Sequence, residues 1–136
     1  MVTSPDYGQP FALVVEDEPL ILMEAVSILE DAGFQMLEAA HAVQALSVLE
    51  EHHHQIKLLF SDVDMPGDMD GFALAREVAR RWPSIAIVIA SGRSKPGPFD
   101  LPEGATFISK PFSATIVYHH VRKTMPEDAQ PEPLRK

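Results

Sequence analysis

The chain has no cysteine, no apolar stretch close to membrane-spanning length, and no lysine or arginine anywhere in residues 1 to 56. The first absence excludes a disulfide framework, thiolate zinc sites and thiol catalysis, so any metal must be held by oxygen or imidazole. The second excludes a spanning helix, which needs ~18 consecutive apolar residues. Residues 1 to 10 also lack the basic start and apolar run of a signal peptide, so a cytoplasmic location with no membrane partner is expected. The third absence polarises the charge. Residues 1 to 56 carry ten Asp and Glu against no base, whereas residues 57 to 136 carry ten acids and eleven bases, for a net charge of -9. Such an acidic pole repels phosphate backbones and anionic lipid, disfavours direct nucleic-acid binding, and suits a cation or a basic protein patch.

What is present is enough for a core: 46% of the 136 residues are hydrophobic, which suits a single folded domain. Phe11 to Val15 is a short continuous apolar run ended by Glu16-Asp17-Glu18, the signature of a strand buried on both faces. A helix follows, with Asp17 or Glu18 as its cap and Pro19 in its first turn. Ile21, Ala25, Ile28 and Ala32 recur along its inner side until Gly33 stops it. The alternation then repeats. Strands are expected at Met36 to Ala39, Ile56 to Ser61, Ile85 to Ala90 and Ala105 to Ser109. Helices are expected at Ala42 to Glu51, Phe72 to Arg81 and Ala114 to Lys123, the last burying Ile116, Val117 and Val121. Residues 92 to 104 break the pattern, because Gly92, Pro96, Gly97, Pro98, Pro102 and Gly104 leave little room for a helix. From Met125 the tail is rich in Pro and Glu, and disorder is expected there.

Strands alternating with helices imply a parallel sheet covered on both faces by right-handed crossovers, an α/β fold. Ligands of such sheets bind at the carboxyl ends of the strands. The residues at those ends are Glu16 and Asp17 after the first strand, Asp62 after the third, Ser91 after the fourth and Lys110 after the fifth. Each alone has a local explanation as a cap, turn or solvated residue, but turn chemistry does not account for all of them on one edge. Two carboxylates ~4 Å apart repel by about 4 kcal/mol at an effective dielectric near 20, and a divalent cation removes that cost. Oxygen-only ligands with room for water suit Mg2+. Lys110 and Ser91 supply a point charge and a hydroxyl donor suited to phosphate oxygens, and the chemistry that fits is phosphoryl transfer to a carboxylate.

The stretches LVVEDEP, FSDVDMPGDMDGF, IASG and ISKPF, in that order on the expected strands, resemble the CheY-like receiver domain of two-component response regulators. The resemblance runs over about residues 11 to 123. It implies a flavodoxin-like (βα)5 doubly wound parallel sheet of order 2-1-3-4-5, here with the fourth helix short or missing. It divides the chain into an N-terminal extension (1 to 10), a receiver domain (11 to 124) and a disordered C-terminal tail (125 to 136).

Carried over by position, Asp62 resembles the phosphoacceptor. Asp17 and Asp62 then look like direct Mg2+ ligands, joined by the backbone carbonyl of Asp64, with Glu16 acting mainly through water. Lys110 resembles the lysine that pairs the acceptor carboxylate and then the phosphoryl group, and Lys110-Pro111 resembles the family's cis peptide. Ser91 resembles the hydroxyl residue that turns toward the phosphoryl group, and Phe107 the aromatic that moves inward with it. The implied function is that of a stand-alone receiver. It would take a phosphoryl group from a histidine kinase or histidine phosphotransfer protein and signal by conformational change to a further, unidentified protein target.

Glu16 stands where Asp is commoner, and the loop Met65 to Gly71 is one residue longer than in the chemotaxis member of the family. Leu20 and Met23 point away from the stripe of the first helix and are expected to form an exposed apolar spot. In this family that helix commonly docks on the kinase. Two other functions compete. Asp62-Val63-Asp64 resembles the DxD of aspartyl phosphatases, in which the second Asp is a general acid, but there the motif follows the first strand and a Thr comes next. A phosphorylation-independent binding module would be expected to have lost acid or lysine positions, which are all present. His52, His53 and His54 are read as capping a helix C-terminus rather than chelating a metal, and Trp82 as a helix-end packing residue.

Overall fold

A computed structural model describes residues 9 to 135, so most of the N-terminal extension lies outside the described residues. Five strands, β1 (Phe11–Val15), β2 (Gln35–Ala39), β3 (Ile56–Asp62), β4 (Ala86–Ser91) and β5 (Thr106–Ser109), pair in parallel in the order β2-β1-β3-β4-β5. Helices α1 (Pro19–Asp31), α2 (Ala42–His52), α3 (Gly71–Arg81) and α4 (Ala114–Thr124) cover the two faces. The expected doubly wound sheet is therefore present, and no helix intervenes between β4 and β5.

The two-residue period of the strands builds two cores. Ala12 and Val14 of β1, with Val88 and Ala90 of β4, pack against Ala25 and Leu29 of α1 and Val117 and Val121 of α4. Leu13, Val15, Ile87 and Ile89 point the other way, onto Ala45 and Leu49 of α2 and Leu74 and Val78 of α3. With both faces covered, β1 and residues Ala86 to Ala90 of β4 read as unbroken apolar runs. Three helices are started by side chains that accept a free backbone amide: His41 Nδ1 from Gln44, Asp70 Oδ1 from Ala73 and Ser113 Oγ from Ile116. In α1 Glu18 holds the cap position without a side-chain bond, and Pro19 supplies the first helical residue.

Several details differ from the sequence expectation. Along α1, Leu29 is fully buried while Ile21 and Ile28 are only half-buried, so the inner stripe is rotated toward Ala25, Leu29 and Ala32. Ile116 of α4 is 45% exposed. Val117 and Val121, four residues apart, define the buried side of that helix, and Ile116 lies about 100° round from Val117. The histidines do end a helix: His53 Nδ1 lies 3.2 Å from the Leu49 carbonyl, and its ring stacks on Trp82.

The stretch from Met125 is folded, against the disorder expected of it. A single 3-10 turn (Glu127–Ala129) leads into a four-residue helix, α5 (Glu132–Arg135), and Met125 and Leu134 are buried in the core beneath α1 and α4. Arg122 donates to the Leu134 carbonyl at 2.8 Å, and the Gln130 amide donates to the carbonyls of Arg122 and Met125. Proline and glutamate bias a chain toward extension, but two well-placed apolar side chains and the free carbonyls of a helix end are enough to dock it.

Residues 92 to 104 form an irregular connection, as expected. At its far end Arg76 of α3 meets Asp100, donating to its carbonyl at 3.2 Å with the carboxylate 3.7 Å away. Asp100 in turn accepts from the Gly97 amide.

Candidate functional site

The site lies on the edge of the sheet where β1, β3, β4 and β5 end. Asp62 is the last residue of β3 and Ser91 the last of β4, one position beyond Ala90, the residue that the register pairs with Asp62. Glu16 follows β1 and Lys110 follows β5. The Lys110 amide donates to the Ser91 carbonyl, and the peptide from Lys110 to Pro111 is cis.

Gly71 sets the height of α3 above this edge. Its amide donates to the Val63 carbonyl, and a Cβ added at Gly71 would collide with the Asp62 carbonyl oxygen and press on Val63 Cα. Only glycine lets the helix begin directly against the end of β3.

Glu16 and Asp62 are almost fully buried, at 4% and 6% exposure, whereas Asp17 is exposed at the mouth. Carboxylate oxygens of these three residues lie within 4.8 Å of one another, close enough to share one cation. Lys110 Nζ donates to both buried carboxylates, at 2.8 Å to Glu16 Oε1 and 2.9 Å to Asp62 Oδ1. Burial raises the pKa of the Glu16 carboxyl, although Lys110 and the Glu18 amide, which donates to Oε2, oppose it. Burial likewise raises the Asp62 carboxyl against the pull of Lys110. For Lys110 burial alone would lower the pKa, but its bonds to Glu16 and Asp62 outweigh that effect and hold the ammonium above its ordinary value. One ammonium does not neutralise three carboxylates, so the edge keeps an excess of negative charge on oxygen ligands. That composition fits a hard divalent cation.

Asp64 is separated from this group. Its carboxylate accepts from Ser91 Oγ at 3.1 Å and from Ser94 Oγ at 2.8 Å. Ser91 is buried, and its oxygen also accepts from the amides of Arg93 and Ser94. Phe107 is half-buried against the core on the α2 and α3 side. Leu20 and Met23 are exposed, at 80% and 66%, in the first turns of α1. The sequence reading missed Ser94 as the second holder of Asp64. The only signal was a hydroxyl three residues after Ser91, a spacing common in local turns.

Comparison with known proteins agrees with the fold. The family model of the response regulator receiver domain matches residues 12–122, and the chain belongs to that family. Among curated proteins it is 38% identical over 109 residues to the sensor kinase CckA of Brucella abortus, covering 78% of this chain and 11% of that protein. It is 33% identical over 107 residues to the aerobic respiration control protein ArcA of Escherichia coli, covering 76% of this chain and 43% of that protein. The chain thus spans less than half the length of these relatives. Among solved structures, the receiver domain of the hybrid histidine kinase CckA superposes with a TM-score of 0.71 at 31% identity, covering 85% of this chain and 98% of that one. A response regulator receiver domain from Clostridium thermocellum gives 0.73 at 26% identity, covering 85% and 94%. The chain is therefore a receiver domain of the two-component response regulator type. Among the described residues, no helix is long and apolar enough to cross a membrane.

Proposed function

We propose that the protein accepts a phosphoryl group on Asp62 from a histidine kinase or histidine phosphotransfer protein, in a reaction that depends on Mg2+. The observation that carries this reading is the position of Asp62: buried at a strand end, held at Oδ1 by Lys110, and sharing an acidic cluster with Glu16 and Asp17. The Asp17 and Asp62 carboxylates and the Asp64 backbone carbonyl would hold the cation, with Glu16 reaching it through water. When bound, the cation neutralises charge on the transferring phosphoryl oxygens.

This chain's residues then do the rest. Asp62 is the nucleophile and needs no general base, being a carboxylate already. Its free oxygen forms a bond to phosphorus as the bond from phosphorus to the donor imidazole nitrogen breaks, and the electron pair returns to the imidazole. Lys110 follows the negative charge from the carboxylate to the phosphoryl oxygens. Hydrolysis of the acyl phosphate by water restores Asp62. The DxD phosphatase alternative asks Asp64 to be a general acid, yet its two oxygens are occupied by Ser91 and Ser94. With a net charge of -9, the signal is expected to pass to another protein and not to nucleic acid.

Incubation with acetyl phosphate and Mg2+, read by intact mass, tests the assignment. The wild type should gain one phosphoryl mass and Asp62→Asn none; no gain in wild type, or equal gain in both, refutes it. Leu20 and Met23 are the proposed kinase contact. Met23→Arg should slow transfer from a phosphorylated kinase and leave acetyl phosphate labelling intact, whereas equal loss of both refutes docking there.

A further inference from the structure

Among the described residues, Glu16, Asp62 and Ser91 are buried polar side chains with a place in the proposed reaction, whereas the fourth, Ser61, has none. Ser61 is wholly buried and stands in β3 directly before Asp62. By the two-residue period of the strand it shares a side with Leu59, which packs in the core under α2 and α3. An apolar residue would suit that position. The hydroxyl is accommodated because it donates to the Asp62 carbonyl at 2.9 Å.

That carbonyl lies where the sheet runs out. The register of β3 with β1 ends at the pair Ser61 and Val15, one residue short of Asp62. The Val63 amide bonds the Ala90 carbonyl of β4 at 3.2 Å, and backbone groups of successive strand residues point to opposite edges, so the Asp62 carbonyl faces the side on which β1 has stopped. Gly71, the first residue of α3, lies against the same carbonyl, too close for a side chain. Its amide takes the next carbonyl, that of Val63, at 2.9 Å. The Asp62 carbonyl, the Val63 amide and the Val63 carbonyl are thus held in turn by Ser61, Ala90 and Gly71. Together these bonds fix the backbone that joins the Asp62 carboxylate to the Asp64 carbonyl, two of the oxygens assigned above to the cation.

We propose that Ser61 is a positioning residue for phosphoryl transfer: by holding the Asp62 carbonyl it fixes the peptide between acceptor and Asp64, and so the spacing of the oxygens that meet the cation. This rests on the reading of Asp62 as phosphoacceptor. Ser61 acts through Asp62, and no covalent bond at Ser61 changes. Its contribution is preorganisation. Without the hydroxyl, the Asp62 carbonyl loses its donor and the peptide after it is free to turn toward another. A shift of ~1 Å in a reacting group costs about a hundredfold in rate, and removing a group that orients a metal ligand costs about 10- to 100-fold in affinity or activity.

Three substitutions separate the hydroxyl from its packing. Ser61→Ala removes it, Ser61→Cys keeps the shape with a much weaker donor, and Ser61→Thr keeps the donor in a residue that suits a strand. The full chain of each variant is labelled with acetyl phosphate at saturating Mg2+, well below its melting temperature. Separately, Mg2+ alone is titrated against unlabelled protein and followed by the NMR shifts of the amides of residues 62 to 64. Ser61→Ala and Ser61→Cys should label about tenfold more slowly than wild type and bind Mg2+ about tenfold more weakly, the low end for such a group. Ser61→Thr should recover most of both. Wild-type labelling and Mg2+ binding in Ser61→Cys overturn the positioning role and leave the acceptor reading intact, as does a Ser61→Ala variant that loses only stability. If the added methyl keeps Ser61→Thr from folding, serine against cysteine, nearly equal in shape, decides the matter. Absence of labelling in the wild type overturns the acceptor reading, and this role with it.

Discussion

Lys110 and Glu16 are 94 positions apart in the chain and 2.8 Å apart in the site. The bond joins the end of β5 to the end of β1, two strands separated in the sheet by β3 and β4. It works together with the bond from the same ammonium to Asp62, so one cation restrains two buried carboxylates that would otherwise repel each other.

That balance predicts a metal effect on stability. Mg2+ that binds only the folded cluster should raise the wild-type melting temperature, by the equivalent of about 2.7 kcal/mol at a hundredfold excess over its dissociation constant. Asp62→Asn removes one ligand and one of the repelling charges. It should melt higher than wild type in the presence of EDTA and respond much less to added Mg2+. Thermal denaturation with and without the metal checks both.

The contact between Gly71 and Asp62 predicts a contrast between two glycines. Gly71→Ala places a methyl group against the Asp62 carbonyl, so the start of α3 must move away from β3. We expect a loss of roughly 3 kcal/mol, in the range of severe overpacking. Gly67 has φ +104 with nothing within 4 Å of an added Cβ, so Gly67→Ala should cost only about 1 kcal/mol of backbone strain. Urea titrations of both variants measure the difference.

Between α4 and β5, His120 Nδ1 is 2.7 Å from Thr106 Oγ1. Burial, then the charges of His119 and Lys123, lower the pKa of His120 below its ordinary value. The unfolded chain therefore takes up a proton first as pH falls. Stability attached to this group is complete above the unfolded value near 6.5, declines as pH drops below it, and levels off below the folded value. His120→Asn, which cannot titrate, should flatten the stability curve across that window.

Leu134 is 1% exposed although it lies in a tail rich in proline. Leu134→Ala should cost about 2 kcal/mol, the low end for a buried leucine because a chain end relaxes more easily than a closed core. Amide exchange should rise in residues 126 to 135 first. Gly33→Ala should loosen the same segment, since its φ is +106 and an added Cβ would meet Pro131 and Pro133.

Much of the fold was legible because its signals are local. Continuous apolar strands, capped amphipathic helices and the glycines and prolines of residues 92 to 104 act within a few residues of themselves, and Glu16, Asp17, Asp62, Ser91 and Lys110 could be placed by counting to the end of each strand. Details failed where a distant partner decided them. Ile116 is exposed in α4, and in α1 Leu29 is buried more deeply than the expected Ile21 and Ile28, because the rotation of a helix is set by what it packs on, not by its own period.

The sequence by itself determined the alternation of strands and helices and the chemistry gathered at the strand ends, since both follow from residue type and spacing along the chain. Only the tertiary structure decided which groups pair there: that Lys110 bonds Glu16 as well as Asp62, that the Asp64 carboxylate turns to Ser91 and Ser94, and that the tail folds back over Gly33. Hydrogen bonds reach only ~3 Å and burial needs a surface to pack on, so both depend on how distant segments meet in space.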